Sequence, residues 1–283
     1  MAYLKKLETS IRSSGSILCA GLDPAPEMYP PPVRALDGSE STRTLEFCRR
    51  IIEQSKTRVA AYKFNLAFFE SLGPDGLQIF DEILDSVPPG KIIIADAKRC
   101  DIPHSARRYA EAYLERFGCD AITVSPFMGL ETIEPFLQSK DHAAYVITLT
   151  SNPGARDFML RPFGEYDSLS SYLADSLRRL DSTHPGTTGM VIGATQSEHY
   201  QPVISSFPDA PLLLPGVGRQ GGSTNELSRY LKQHKGLPLI NVSRGISAWD
   251  PQSDDSWEVQ IARNTDRFHK QLSDITQQYL GRL

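Results

Sequence analysis

The chain has 283 residues and a formal net charge of −4. That acidity argues against a nucleic-acid partner, which favours a basic face, but leaves room for an anionic small molecule in a locally positive pocket. With 40% hydrophobic and 23% charged residues, the chain can bury a large core in one domain without metal or disulfide staples. Cys19, Cys48, Cys100 and Cys119 form no C-x-x-C pair, so a zinc ribbon or thioredoxin-like site has no support, and free, mostly buried thiols are expected. The opening residues, MAYLKKLETSIRSSG, lack the apolar core of a secretory leader. No apolar run approaches the roughly 20 residues of a spanning helix, so a cytoplasmic protein with no membrane partner is expected.

Short apolar runs alternate with helical patterns along the chain. The first strand is predicted at 16–21, followed by DPAPEMYPPPV over 23–33. That proline-rich stretch reads as a stiff loop, with a polyproline ligand as the alternative. A helix at 42–56, with Leu45, Cys48, Ile51 and Ile52 on one face, leads to a strand at 58–64. A helix at 77–84 carries Leu77, Phe80, Ile83 and Leu84, and a strand follows at 91–97. Ala106, Tyr109, Ala110, Tyr113 and Leu114 mark a helix at 105–117, before a strand at 121–125. A short helix at 131–137, interrupted by Pro135, precedes a strand at 143–149. SNPGARDFMLRPFG, 151–164, is a long connection of the kind that serves as a mobile lid, and it carries Arg156 and Arg161. Helices at 166–180, 197–205 and 223–233 alternate with strands at 189–193, 211–215 and 238–242, and a C-terminal helix spans 257–279.

Several strands are continuously apolar, as in Ile92–Ala95 and LLL at 212–214, which is how strands read when a parallel sheet buries both their faces. Eight strands alternating with helices imply right-handed parallel crossovers, and eight is the number that closes a barrel. The sequence therefore predicts an α/β fold, a single (β/α)8 TIM barrel domain over residues 1–283. An open doubly wound sheet is the alternative, but nothing marks a reversal of strand order.

Function in such a barrel gathers where strands end. The first strand supplies Asp23, the second Lys63, and the third Asp96 and Lys98 with Asp101 just beyond. Period-two geometry puts Asp96 and Lys98 on one face. Any one of these charges could be a structural salt bridge. Two lysines and two aspartates at one end suggest instead a site holding opposed charges in fixed places, as electrostatic catalysis requires. After the seventh strand comes PGVGRQGG, 215–222, containing G-x-G-x-x-G at Gly216, Gly218 and Gly221. It lacks the first-strand position and the later acidic residue of a dinucleotide fingerprint. Glycine-lined amides at a helix start still suit a phosphate. Arg244, in NVSRGI, and Gln220 would add donors, and a surface ion pair is the alternative for Arg244. The six histidines show no metal-ligand spacing and read as surface residues, and lysines flanking Asp96 would repel a divalent cation, so no metal and no cofactor are expected.

Asp96–Lys98–Asp101 spells D-x-K-x-x-D, which resembles the orotidine 5′-monophosphate decarboxylase family. Phosphosugar decarboxylases and hexulose-phosphate synthases, which use magnesium, share that motif but carry a glutamate where Lys63 stands. KFNLAFFE, DAITVSPFMGLETIEPFL, LTSNPG, GMVIGAT and PGVGRQGG are similar to the longer bacterial branch, so the resemblance runs from about 17 to 246. It implies cofactor-free conversion of orotidine 5′-monophosphate to UMP in pyrimidine biosynthesis, through a C6 carbanion that Lys98 stabilises and protonates. By the same resemblance, Asp23 and Lys63 bind the ribose, Asp96 lies against the substrate carboxylate, and Ser151 contacts the pyrimidine. Gln220 and Arg244 hold the phosphate beside Pro215 and Gly216, while Asp101, Ile102 and Ser105 reach a neighbouring subunit's site in a homodimer. Cys100, Pro103, His104 and Arg219 depart from the usual residues of that branch, but none removes a charge from the array. A metal-dependent phosphosugar decarboxylase or aldolase, and an inactive nucleotide-binding barrel, are the rival readings.

Overall fold

A computed structural model describes residues 1–194, 199–216 and 224–282, without the side chains of 224–226. Eight parallel strands pair in chain order and close: β1 (Leu18–Leu22), β2 (Ala61–Asn65), β3 (Ile92–Arg99), β4 (Ala121–Val124), β5 (Ala143–Leu149), β6 (Thr187–Ile192), β7 (Leu212–Pro215) and β8 (Pro238–Val242). Closure is by β8 against β1, with Leu18 opposite Ile240 and Ala20 opposite Val242, which excludes the open doubly wound sheet. The β-branched residues Ile92 and Ile94 are fully buried in β3, as expected of a strand covered on both faces.

Helices wrap the sheet because each has one apolar stripe to bury. The helix Glu40–Ser55 starts where the Ser39 side chain accepts the Thr42 amide and buries Phe47, Cys48, Ile51 and Ile52. Phe47 stacks on Trp257 of the helix Trp257–Gln271 at 5.2 Å, which joins the first and last helices of the ring. Among the described residues, no helix is long and apolar enough to cross a membrane. The four cysteines are free thiols, with Cys19, Cys48 and Cys119 buried.

Several elements differ from expectation. The predicted C-terminal helix over 257–279 is two helices, Trp257–Gln271 and Ser273–Leu280, because Leu272 leaves helical geometry at ψ 0° and is itself fully buried. The helix expected from 166 begins at Leu169, where the Ser168 side chain caps the Ser171 amide. Residues ahead of that cap form a bridge between Phe163 and Tyr166 instead. The segment 131–137 is two 3-10 turns, Leu130–Thr132 and Glu134–Leu137, with Pro135 starting the second. The loop over 23–33 contains two short helical turns, Pro26–Met28 and Pro31–Arg34. The helix after β3 is α-helical over Pro103–Ala110 and π-helical over Glu111–Arg116.

A helix not anticipated from the sequence, Tyr3–Ser14, covers the floor of the barrel. Its Tyr3 hydroxyl meets that of Tyr145 at 2.8 Å, and Ser10 donates to the Ala60 carbonyl at 2.6 Å. His234, expected at the surface, is buried at 1% exposure, with its Nε2 2.7 Å from the Ala210 carbonyl.

Candidate active site

An open cavity of about 230 Å³ lies at the carboxyl ends of the strands. Asp23 reaches it from the end of β1, Lys63 and Asn65 from β2, and Asp96 from β3. Ser151 follows β5, Pro215 and Gly216 end β7, and Asn241, Ser243 and Arg244 come from β8 and the turn after it. Two glycines make room here. A Cβ at Gly193 would sit 2.4 Å from the Ser151 nitrogen, so only glycine lets the fifth loop pass so close to β6. Gly216 turns the chain out of β7 at φ 100°, a conformation L side chains disfavour.

Asp96 is the centre of the charge array. Lys63 Nζ donates to its Oδ2 at 2.6 Å and Lys98 Nζ to its Oδ1 at 2.5 Å, and the Thr123 hydroxyl donates to Oδ1 at 2.9 Å. The register of β2 on β3 sets Asn65 opposite Asp96 and Lys63 opposite Ile94, so main-chain pairing brings the two strands' charges together. Burial alone would push the Asp96 carboxyl up, but the two ammonium groups outweigh it and hold the pKa well below the usual carboxylate range. Burial likewise pulls Lys63 down, and the charges of Asp96 and Asp23 more than reverse it, so this lysine stays protonated. Both ions keep their charge although their side chains are largely buried at the base of the open cavity, where their interaction is stronger than in solvent.

Lys98 is the sole described non-glycine residue with a positive φ, at 47°. The cause is a bulge: Ala95 pairs with Ile122 and Arg99 with Val124, so three residues of β3 stand opposite Thr123 alone. Thr123 fills the gap, accepting the Lys98 amide at 3.0 Å while donating to Asp96.

Two acceptors lining the cavity, Asp23 Oδ1 and Asn241 Oδ1, are buried without a hydrogen-bond partner among the described residues. Lys63 Nζ lies 4.0 Å from that Asp23 oxygen. Buried acceptors without donors are costly, and a ligand carrying hydroxyls would relieve them. Arg244 is exposed and makes no ion pair among the described residues, so the surface-pair alternative has no partner there. Its guanidinium remains available to an anion.

Of the residues predicted from sequence, Asp23, Lys63, Asp96, Ser151, Pro215, Gly216 and Arg244 share this cavity, and Lys98 joins through Asp96. Asp101, Ile102 and Ser105 do not. The Asp101 carboxylate accepts the Ile102 amide at 2.8 Å, and Ile102 is 55% exposed. Gln220, Arg219, Gly218 and Gly221 lie outside the described residues. Sequence reasoning missed Thr123, Asn65, Asn241 and Ser243. The strand-end rule that found Lys63 would also have found Asn65 and Asn241. The connection over 151–164 holds a 3-10 turn at Pro153–Asp157 and lies against the following helix, with Leu169 donating to the Arg161 carbonyl and Ser170 to the Met159 carbonyl.

The model of the orotidine 5′-phosphate decarboxylase / HUMPS family matches residues 16–254. The chain belongs to this family. The orotidine 5′-phosphate decarboxylase of Dehalococcoides mccartyi strain 195 is 38% identical over 250 residues, covering 87% of this chain and 88% of the relative. That of Porphyromonas gingivalis is 37% identical over 248 residues, covering 86% and 87%. The solved OMP decarboxylase of Leishmania donovani superposes with a TM-score of 0.79 at 28% identity, over 98% of this chain and 99% of that one. The family match brackets the stretch 17–246 over which the motifs showed the resemblance, and every charged member of the array falls inside it.

Proposed function

We infer that this protein converts orotidine 5′-monophosphate to UMP in pyrimidine biosynthesis, without a cofactor. The observation that carries the reading is Asp96 held by two lysines at once, at the mouth of a barrel of the decarboxylase family. Lys63 separates this site from the magnesium-dependent branch. Where those enzymes offer a carboxylate, this chain offers an ammonium, and both Asp96 oxygens are already engaged by cations.

The substrate's phosphate would dock on Arg244 and Gln220, its ribose hydroxyls on Asp23 and Lys63, and its pyrimidine near Ser151. The carboxylate at C6 would then lie against Asp96. The C6–carboxyl bond breaks, its electron pair stays on C6 and CO₂ departs. The Lys98 ammonium stabilises that pair and delivers a proton to it, and water restores the lysine. Two unit charges about 4 Å apart at an effective dielectric of 20 interact by about 4 kcal/mol, against the roughly 23 kcal/mol of the most accelerated enzymatic reactions. Binding energy from the remote phosphate must therefore supply much of the rest, by drawing the 151–164 loop over the site and excluding water.

Asp101, Ile102 and Ser105 are read as the contribution of each chain to a second copy's site. Their position outside the cavity and the exposure of Ile102 support this. Mixing inactive Lys98→Ala and Asp101→Ala proteins should then regenerate activity, because a hybrid dimer contains one intact site. Mixtures that stay inactive would count against sharing.

The deciding measurement is the fall in orotidylate absorbance with purified, metal-stripped protein. Absent turnover refutes the reading. Turnover that appears only when magnesium is restored favours the metal-dependent branch.

A further inference from the structure

Among the described residues, Lys98 alone makes a left-handed turn inside a strand, and its anchor lies on the other side of the barrel wall. Arg99, the next residue, points away from the cavity. Its Nη2 donates to Glu70 Oε1 and, at 2.8 Å, to the Tyr113 hydroxyl. The Tyr113 hydroxyl in turn donates to Glu70 Oε1 at 3.2 Å. The guanidinium also stands over two rings, 5.0 Å from the centre of Tyr109 and 5.4 Å from that of Tyr113. A longer contact of 3.5 Å reaches back to the carbonyl of Ala97, inside the bulge. The Arg99 main chain is held as well, since its carbonyl accepts the Ser125 amide at 2.8 Å.

The partners come from three elements. Glu70 ends the short helix Leu66–Glu70, directly after the strand that carries Lys63. Tyr109 belongs to the helix after β3, and Tyr113 to its π-helical turn. Such turns widen a helix locally and often accompany functional sites. This one presents a ring and a hydroxyl to Arg99.

We propose that Arg99 is a positioning residue for Lys98, an inference that rests on the decarboxylase reading above. Gripping the chain one residue beyond the bulge fixes where the strained main chain ends. Thr123 holds the same bulge from inside through the Lys98 amide. Between these two holds, the ammonium at position 98 emerges beside Asp96 and not along the rim. Because Glu70 sits on the β2 side, the clamp also ties the two lysine-bearing strands at their carboxyl ends.

The test compares Arg99→Ala with the parent in turnover of orotidine 5′-monophosphate, in UMP affinity by calorimetry and in melting temperature. Misplacing a reacting group by about 1 Å costs about 100-fold in rate, so kcat should fall by about that factor while UMP affinity holds within about twofold. Arg99→Lys, which keeps the charge on Glu70 without the fork, should recover part of the loss. Parental kcat in Arg99→Ala overturns the proposal and leaves the decarboxylase reading intact, whereas an inactive parent overturns both. Equal losses of kcat and UMP affinity also overturn it, because general loosening of the barrel would produce them. Should Arg99→Ala fail to fold, Tyr113→Phe decides: reduced kcat at unchanged UMP affinity supports the clamp, and parental kcat refutes it.

Discussion

Two aspartates, one at each end of the barrel, show how the same burial serves different purposes. The side chains of Asp96 at the mouth and Asp120 at the floor are both 10% exposed. Asp120 receives one lysine, Lys6 at 2.5 Å, and one main-chain donor, the Ile93 amide at 2.9 Å. Burial wins there, and its pKa rises despite the lysine. Asp96 receives two lysines and a hydroxyl, and those cations drive its pKa the other way. At the floor each carboxylate oxygen has one partner and the interaction is complete. At the mouth, cations crowd one carboxylate while Asp23 and Asn241 keep acceptors without donors among the described residues. A structural ion pair finishes itself, and a binding site leaves something for the ligand to finish.

The sharpest break between the two ends is expected at Lys98. Lys98→Ala should lower kcat by about 10⁴-fold, the upper range for a positioned proton donor, with the melting temperature close to the parent's. Near-normal turnover would put the mouth in the same class as the floor.

Next comes a floor effect with no counterpart in activity. Burial keeps His234 neutral, its pKa pulled down from 6.5 to about 4. The folded value lies below the unfolded one, so the stability that depends on the neutral ring is whole above pH 6.5 and is lost as pH falls toward 4. The loss should reach about 3 kcal/mol at the acid end. Urea midpoints of His234→Phe should therefore fall less steeply than the parent's over this window. Parallel slopes would contradict the burial argument.

Arg244→Ala should weaken substrate binding about tenfold to a hundredfold, the size of a lost charge-assisted hydrogen bond. Orotidine, which lacks the phosphate, should react equally with variant and parent. If both substrates lose alike, phosphate binding is not coupled to chemistry. The smallest effect is Asp120→Asn. The amide keeps an acceptor for Ile93 and sheds the buried charge but turns a donor toward the part-exposed Lys6 ammonium, so stability should fall by about 1 to 2 kcal/mol, with kcat unchanged. A larger shift in either would mean that the floor, too, is tuned.

The sequence made the mouth more legible than the floor, for physical reasons. Buried parallel strands must be continuously apolar, so charges at their ends stand out, and Lys63, Asp96 and Lys98 were readable as one group. Thr123 was not, because a β-branched residue inside a strand looks like packing. Its role appears only when the register of β4 exposes the bulge opposite it. The helix Tyr3–Ser14 escaped because those residues were read only for a leader, although Tyr3, Leu7 and Ile11 recur at intervals of four and are all fully buried. The break at Leu272 carries no glycine or proline to announce it. His234 gave no sign of burial, since its partner is a main-chain carbonyl 24 residues away in sequence.

The ladder between β2 and β3 has a consequence for how this protein would fail under heat or mild denaturant. Lys63 and Asp96 hang two rungs apart on one ladder of a closed sheet, one of the last structures to open. Arg244 belongs to a short turn beyond β8, where local opening comes early. Affinity for the nucleotide's phosphate should therefore decay on warming while the lysine–aspartate geometry is still intact, and the two losses should separate in a titration well below the global transition.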